Sequence, residues 1–404
     1  MNKEDLTLLE TPEIRTAIET NIDRDPNAVA LDKHLPHPAL VATQIKYLQR
    51  ARKKLPEYHA ARAIIPPLAF EQSSSHLTAG HKRCRGGTCI DLTCGLGVDS
   101  LHLSYSFDRV ITVERDETLA EIAVINFRRL GADNIEVVND SAENFLERFA
   151  LEGGHADLVY VDPDRRSASG RKLVRPEDCS PDITALMPLM LKCADRVAAK
   201  LSPLFDIDEA FRLFGERCSV EVVSAAGECK EILIELGAGV TSPTVTASAI
   251  GAGSVRYPFS ATRPAENGTF APPYRYMIIP DVALRKARLT CAYASQYLPG
   301  SYPIPNGGYI FYDGEKLPDK IIGKVFEVLS MERYDPARLK KELKRRGIRS
   351  VRIYTNDFPA STAAIAAKLG VREGDDTCMA FTRINGTPWR VEIAETVTAA
   401  ADID

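Results

Sequence analysis

The spacing of apolar positions changes near residue 80. Upstream, "HPALVATQIKYLQRARKKL" sets Leu40, Val41, Ile45 and Leu48 on one face and closes with Arg and Lys, which is the period of an amphipathic helix. The Pro66-Pro67 pair stops any helix there. From Cys89 onward short apolar, β-branched runs take over: Cys89 to Leu92, Arg109 to Glu114, Ile135 to Asn139, Leu158 to Asp162 and Arg196 to Ser202. Helical stretches such as "ETLAEIAVINFRRLG" lie between them, with Gly131 as a stop. Regular alternation of this kind predicts an α/β domain, a doubly wound parallel sheet covered by helices on both faces.

The last two strands break the rule. "SVEVVSAAG" and "KEILIELG" are joined by too few residues for a crossover helix, so the pairing at that end is expected to be antiparallel. "TSPTVTASAIGAGSVRYPFSATRPAENGTFAPPY" is rich in Ser, Thr, Pro and Gly and reads as a linker, with the domain boundary near Leu236 to Ser242. Beyond it come a helical "DVALRKARLTCAYASQYL" and a short strand "YIFYDG". In "YDPARLKKELKRRGIRSVRIYT", Asp335 is the expected N-cap, Pro336 the first helical residue and Gly347 the stop, with Leu339 and Leu343 on one face and a strand following. A helix near Ser361 and two strands about the turn Asn385-Gly386 complete the chain. The expected division is 1–78 helical, 79–240 doubly wound, 241–323 linker and small α/β unit, and 324–404 a second small α/β unit.

Composition narrows the class. A chain of 404 residues is too long for one ordinary core. It has no apolar run near the ~18 residues of a membrane helix, and its first residues carry acids where a signal peptide has basic ones, so a cytoplasmic protein without a membrane role is expected. Nine cysteines without a C-x-x-C pair predict reduced, mostly buried thiols and no metal site. A net charge of −4 excludes a wholly basic nucleic-acid binder, yet Arg333 to Arg352 holds nine Lys or Arg against two acids. Such a cluster suits phosphates, or is simply a solvated helix face.

The chemistry begins at "CIDLTCGLGVDS". Gly95 and Gly97, after the first strand, let backbone N–H groups approach a nucleotide-like ligand. A dinucleotide fingerprint would place a third glycine where Ser100 stands, and Asp91 before the turn repels a pyrophosphate. The D-x-x-x-G-x-G pattern resembles motif I of the class I S-adenosylmethionine-dependent methyltransferases. That resemblance implies a cofactor site of Asp91, Thr93, Gly95, Gly97 and Asp99 around the turn. It adds Glu114 and Arg115 at the second strand end for the ribose hydroxyls, and Asp140 and Ser141 at the third for the adenine. An antiparallel final strand is also a mark of this family.

At the fourth strand end stands "VDPDRR". In the family this end faces the transferable methyl group, and a D/N-P-P-aromatic motif there marks transfer to a base amine. Asp162 and Pro163 match it, while Asp164 and Arg165 depart from it. The D-P-x-R form is also similar to the RNA pyrimidine C5 methyltransferases. Those need a cysteine after a later strand, where this chain has Ser202 and Pro203. The expected reaction site is Asp162, Asp164 and Arg165, with Arg166 and Lys200 toward the substrate; the arginines either hold a phosphate or carboxylate or form ordinary ion pairs. The Gln72 to Ser75 run with Thr78 reads as a polar loop or, as in several nucleic-acid methyltransferases that the chain resembles, as a cover for the methionine end of the cofactor, and "GECKE", Gly227 to Glu231, reads as an exposed charged turn.

The whole layout resembles bacterial class I methyltransferases carrying a THUMP-like domain. It implies a Rossmann-like methyltransferase sheet, then ferredoxin-like and THUMP-like units, with structured RNA, transfer or ribosomal, as substrate. Two other readings stay open: an RNA-binding protein with a vestigial cofactor pocket, and a nicotinamide-dependent oxidoreductase.

Overall fold

The computed structural model describes residues 1–82, 84–164, 179–215, 217–263 and 268–395. They fall into two compact units, Met1–Ser219 with Glu231–Ser242, and Val220–Lys230 with the chain from Pro243.

The first unit is built on β1 (Gly86–Asp91), β2 (Phe107–Glu114), β3 (Ile135–Asn139), β4 (Ala156–Val161) and β5 (Ala194–Leu201), matching the five expected runs. After β6 (Cys218–Ala225) the chain turns through Ala226 and Gly227, both at positive φ, into β7 (Glu228–Gly237). The order is β3-β2-β1-β4-β5-β7. All pairings are parallel up to β5, and β7 then runs antiparallel to it, with Leu201 opposite Ile232. Strand order reverses between β1 and β4, so the crevice at their carboxyl ends is where such sheets bind ligands.

The helices between Lys3 and His81 belong to this unit's core. Leu6, Ile14, Ile45, Leu48, Ile64 and Phe70 form one buried cluster with Leu96, Val98, Leu101, Ile122 and Phe127, from the glycine turn and the helices after β1 and β2. Each such aliphatic side chain contributes about 1.5–3 kcal/mol by leaving water. Polar ties fix the register. Asn126 donates to the Ile64 carbonyl at 2.9 Å and accepts its N–H at 2.8 Å, and the Tyr58 hydroxyl donates to the Leu96 carbonyl at 2.9 Å. The N-terminal segment thereby holds the outer side of the glycine turn.

In the second unit, β8 (Thr244–Ala249) and β9 (Gly253–Pro258) form an antiparallel hairpin where a linker was expected. Val245 to Ala249 are all buried, but Thr246 and Ser248 among small residues make the run read as polar. A seven-stranded sheet follows, from β10 (Tyr276–Pro280), β11 (Tyr302–Pro303), β12 (Ile310–Tyr312), β13 (Gly323–Arg333), β14 (Ser350–Asn356), β15 (Arg372–Ile384) and β16 (Thr387–Glu395), in the order β11-β12-β10-β13-β16-β15-β14. It draws strands from both sides of residue 324. The single helix expected over "DVALRKARLTCAYASQYL" is two, Val282–Lys286 and Thr290–Tyr297, because Arg288 takes a left-handed conformation and the Leu289 N–H caps back to Leu284. The helix Pro336–Arg345 starts as expected, with Asp335 accepting the Ala337 and Arg338 N–H groups.

Candidate active site

The turn after β1 is braced from beneath. Asp91 is fully buried; one carboxylate oxygen accepts the Thr93 N–H at 3.0 Å and the other the Ser100 hydroxyl at 2.5 Å. Burial pushes its pKa up to about 7 against these hydrogen bonds. Ser100, where a dinucleotide site would have its third glycine, is thus committed to the brace. The two glycines serve different ends. A Cβ on Gly97 would lie 2.5 Å from the Phe127 ring, whereas one on Gly95 would meet nothing within 4 Å, so Gly95 faces open space.

Glu114 ends β2 beside it. Its carboxylate accepts the Gly95 N–H at 2.8 Å and the Asp116 N–H at 2.9 Å, one on each oxygen. Burial raises its pKa and those two bonds oppose the rise. A carboxylate has about four acceptor positions, so two remain for hydroxyls. At the end of β3, Asp140 accepts the Ser141 N–H and an Arg148 N–H, each at 2.8 Å, and Arg148 holds its carboxyl below the usual range. Ser141 caps the helix Ala142–Leu151 through the Asn144 N–H. Arg115 donates to the Ser180 hydroxyl at 2.8 Å and stands 3.9 Å from Asp164.

The β4 end is joined to the turn by Thr93, whose hydroxyl accepts the Asp162 N–H at 2.7 Å. The Asp162 carboxylate stands 2.5 Å from the Lys200 ammonium, and from there an ion cluster runs inward. Lys200 donates to the Ser74 hydroxyl at 2.9 Å, which donates to Asp99 at 2.8 Å. Asp99 also accepts from the Tyr160 hydroxyl at 3.1 Å and from Lys82 at 2.8 Å, and Lys82 lies 3.1 Å from Glu231. Burial works against the charges of Lys82, Asp99, Lys200 and Glu231. It is outweighed at Asp99 by Lys82 and Lys200, which hold the carboxyl well below its ordinary range, and at Lys200 by Asp162 and Asp99, which raise it. At Glu231 burial wins and the carboxyl moves up.

Two expectations change. Lys200 was placed toward the substrate, but it is 6% exposed and reaches outward only through Asp162. "GECKE" was read as an exposed turn, yet Glu231 is 3% exposed, because β7 pairs along the carboxyl end of β5 and carries it in beside Lys82. Ser74 belongs to the polar run before β1, whereas Lys82, at the end of that stretch, and Tyr160, inside β4, were not foreseen as site residues. Asp164 forms a backbone bridge with Ser180 and accepts from Gln72 at 3.4 Å. Arg165 and Arg166 lie outside the described residues. The Ser202 hydroxyl, just after β5, accepts the Leu204 N–H at 3.2 Å. Among the described residues no cluster of His, Cys, Asp or Glu is placed to hold a metal, and no helix is long and apolar enough to cross a membrane.

Comparison with known proteins bears on the fold and its domains. Residues 323–394 match the THUMP domain-like family, and residues 74–171 the family described as conserved hypothetical protein 95. The crystal structure of a presumed methyltransferase from Porphyromonas gingivalis W83 matches with a TM-score of 0.80 at 24% identity, over 98% of this chain and 99% of that one. The chain joins a methyltransferase fold to a THUMP-like domain. Partial relatives of the methyltransferase-fold protein include a tRNA/tmRNA (uracil-C(5))-methyltransferase of Colwellia psychrerythraea, 38% identical over 92 residues, which is 20% of this chain and 25% of that protein. An uncharacterized RNA methyltransferase of Thermotoga maritima is 29% identical over 134 residues, 31% of this chain and 30% of that protein. The chain thus spans between a quarter and a third of the length of these curated relatives.

Proposed function

We propose that this protein is an S-adenosylmethionine-dependent methyltransferase that modifies a base of structured RNA, transfer or ribosomal. The observation that carries the reading is the open face of Gly95 with the Glu114 carboxylate at its rim and Asp162 on the adjacent strand end. This donor set fits the cofactor. Glu114 keeps two acceptor positions for a ribose diol, and the side of Asp140 and Ser141 suits an adenine. No pyrophosphate-seating glycine is present, since Ser100 is tied to Asp91, which disfavours a nicotinamide dinucleotide.

When bound, S-adenosylmethionine supplies a methyl group on a positively charged sulfur; an in-line acceptor and exclusion of water are what the protein must add. Asp162 is the group for orienting the acceptor: its backbone is fixed by Thr93 and its carboxylate by Lys200, so it holds one geometry. Uracil C5 chemistry requires a thiolate to add to the base, and Ser202 stands at the β5 end where that cysteine would be. We therefore place the acceptor among atoms methylated without a covalent enzyme-base adduct. The RNA assignment is supported by the THUMP-like match, by the RNA methyltransferase names among the relatives, and by Lys340, Lys341, Lys344, Arg345 and Arg349, all exposed.

Incubation of the protein and a labelled methyl donor with total cellular RNA tests the reading. Label in the nucleic-acid fraction that ribonuclease releases is the expected outcome. Label in protein or small molecules would replace RNA as substrate; none at all would favour a binding protein with a vestigial pocket.

A further inference from the structure

The cluster beneath the acceptor site is not electrically closed. Ion pairs within 4 Å connect three carboxylates, Asp99, Asp162 and Glu231, to two ammoniums, Lys82 and Lys200. Among the described residues, these pairs leave the carboxylates one ahead of the cations. Burying unmatched charge is costly, so a cluster made only for stability would balance itself. The excess has one outlet. The side chains of Lys82, Lys200, Asp99 and Glu231 are 4–11% exposed, and that of Asp162 is 23%. Asp91, behind the same turn, adds negative character when ionised, and its carboxyl is pushed up partly by Asp99 and Asp162. Among the described residues, Lys54 lies outside these ion pairs yet close enough to Lys200 to feel its charge. It donates to the Phe70 carbonyl at 2.5 Å, lies 4.6 Å above the Phe70 ring and is lowered to about 8, first by burial and also by Lys200.

We infer that this surplus carboxylate charge, presented by Asp162, makes the site select a cationic sulfonium over the neutral thioether of the same skeleton. S-adenosylmethionine and S-adenosylhomocysteine share the adenosine and amino-acid ends and differ in the methyl group and the charge on sulfur. Contacts at Glu114 and Asp140 are common to both ligands and give no discrimination; the charge beneath the β4 end does. The site thus holds the loaded donor and loosens its grip on the spent one, which assigns to Glu231 and Lys54 a role in donor specificity without contact to the ligand. The inference rests on the cofactor reading above.

The test is calorimetric titration of the full chain with each ligand separately, reading the ratio of the two Kd values. The wild type binds S-adenosylmethionine more tightly. Asp162→Asn lowers that preference roughly tenfold, the scale of one charge acting across several ångströms of partly polar medium. Glu231→Gln, which is isosteric, lowers it by a smaller factor, and Lys54→Met, which removes a positive charge, raises it. Equal affinities in the wild type, or a ratio that none of the three substitutions moves, would overturn the inference while leaving the cofactor reading intact. If neither ligand binds the folded wild type, the cofactor reading itself fails. Should Glu231→Gln not fold, the opposite sign expected of Lys54→Met still decides.

Discussion

Each unit of this protein carries a network of ionised side chains, and the two are built on different principles. In the THUMP-like unit, Glu332, Glu342 and Glu392 meet Arg338, Arg346 and Arg390, three against three. Arg346 grips Glu392 with both guanidinium arms, at 2.8 and 2.5 Å, and Thr377 supplies a further donor at 3.1 Å. Planar forks, balanced charge and contact between neighbouring strands and the following helix make this a structural tie. The methyltransferase-fold cluster uses lysines, which are point charges, and among the described residues its ion pairs are one cation short, beside the carboxyl ends of β1 and β4. Arginine networks close a surface; the lysine cluster leaves a charge to be met.

The sharpest break of that contrast is at the open end. Asp162→Ala is expected to lower methyl transfer by on the order of 100-fold or more, the scale of losing a positioned polar group in the transition state, while cofactor binding persists at reduced affinity. Labelled-methyl turnover set beside calorimetric binding checks it, and undiminished turnover would reduce Asp162 to a strand terminus. Next in size is the stability difference between the networks. Lys200→Met strips the only cation within 4 Å of Asp162 among the described residues and should cost ~3–5 kcal/mol in urea unfolding, the range for breaking a buried pair. Arg346→Met, with its guanidinium half-exposed, should cost about 1 kcal/mol. Equal losses would erase the distinction.

How far this could be read from sequence differs between the same two levels. The five parallel strands announce themselves as β-branched runs, and the glycine turn with Glu114 and Asp162 follows from motif order, because spacing along βα units fixes which strand ends lie side by side. The helix Pro336–Arg345 is legible to its cap. The hairpin of β8 and β9 is hidden by small and hydroxyl residues that a buried strand tolerates but a hydropathy pattern discounts. The cluster is hidden for another reason. Ser74, Lys82, Asp99, Lys200 and Glu231 sit on separate elements, and only the antiparallel insertion of β7 brings Glu231 to Lys82. No local spacing encodes such a meeting.

A smaller effect separates the units by pH. Asp91 has a folded pKa pushed up to about 7 from an ordinary 3.8, so the folded chain binds a proton that the unfolded chain has already lost. Its contribution therefore falls as pH rises from about 4 to 7 and is constant above. Glu392 is held below its ordinary 4.5, first by Arg346, so its contribution is present above that value and is lost as pH falls beneath it. Urea unfolding across pH 3 to 8 should show Asp91→Asn flattening the descending slope, by no more than the ~4 kcal/mol that its shift corresponds to, and Glu392→Gln flattening the acid loss. Slopes unchanged by the substitutions would mean that other groups carry the titration.

The smallest effect concerns the cations that the arginine tie leaves over. In the helix Pro336–Arg345 and the residues after it, Arg338 and Arg346 are spent on glutamates, while Lys340, Lys341, Lys344, Arg345 and Arg349 have no ion pair among the described residues. Positions 340, 341, 344 and 345 recur at helical spacing, so they form one stripe opposite buried Leu339 and Leu343. If that stripe meets the RNA backbone, Lys344→Ala and Arg345→Ala should each weaken RNA binding a few-fold and reduce the slope of log affinity against log salt by about 0.7–0.9, the share of one phosphate contact. Arg346→Ala, by contrast, should lower unit stability with little change in that slope, because its charge is already matched. Filter-binding titrations at several salt concentrations separate the two, and identical slopes for Arg345→Ala and the wild type would make the stripe a solvated face.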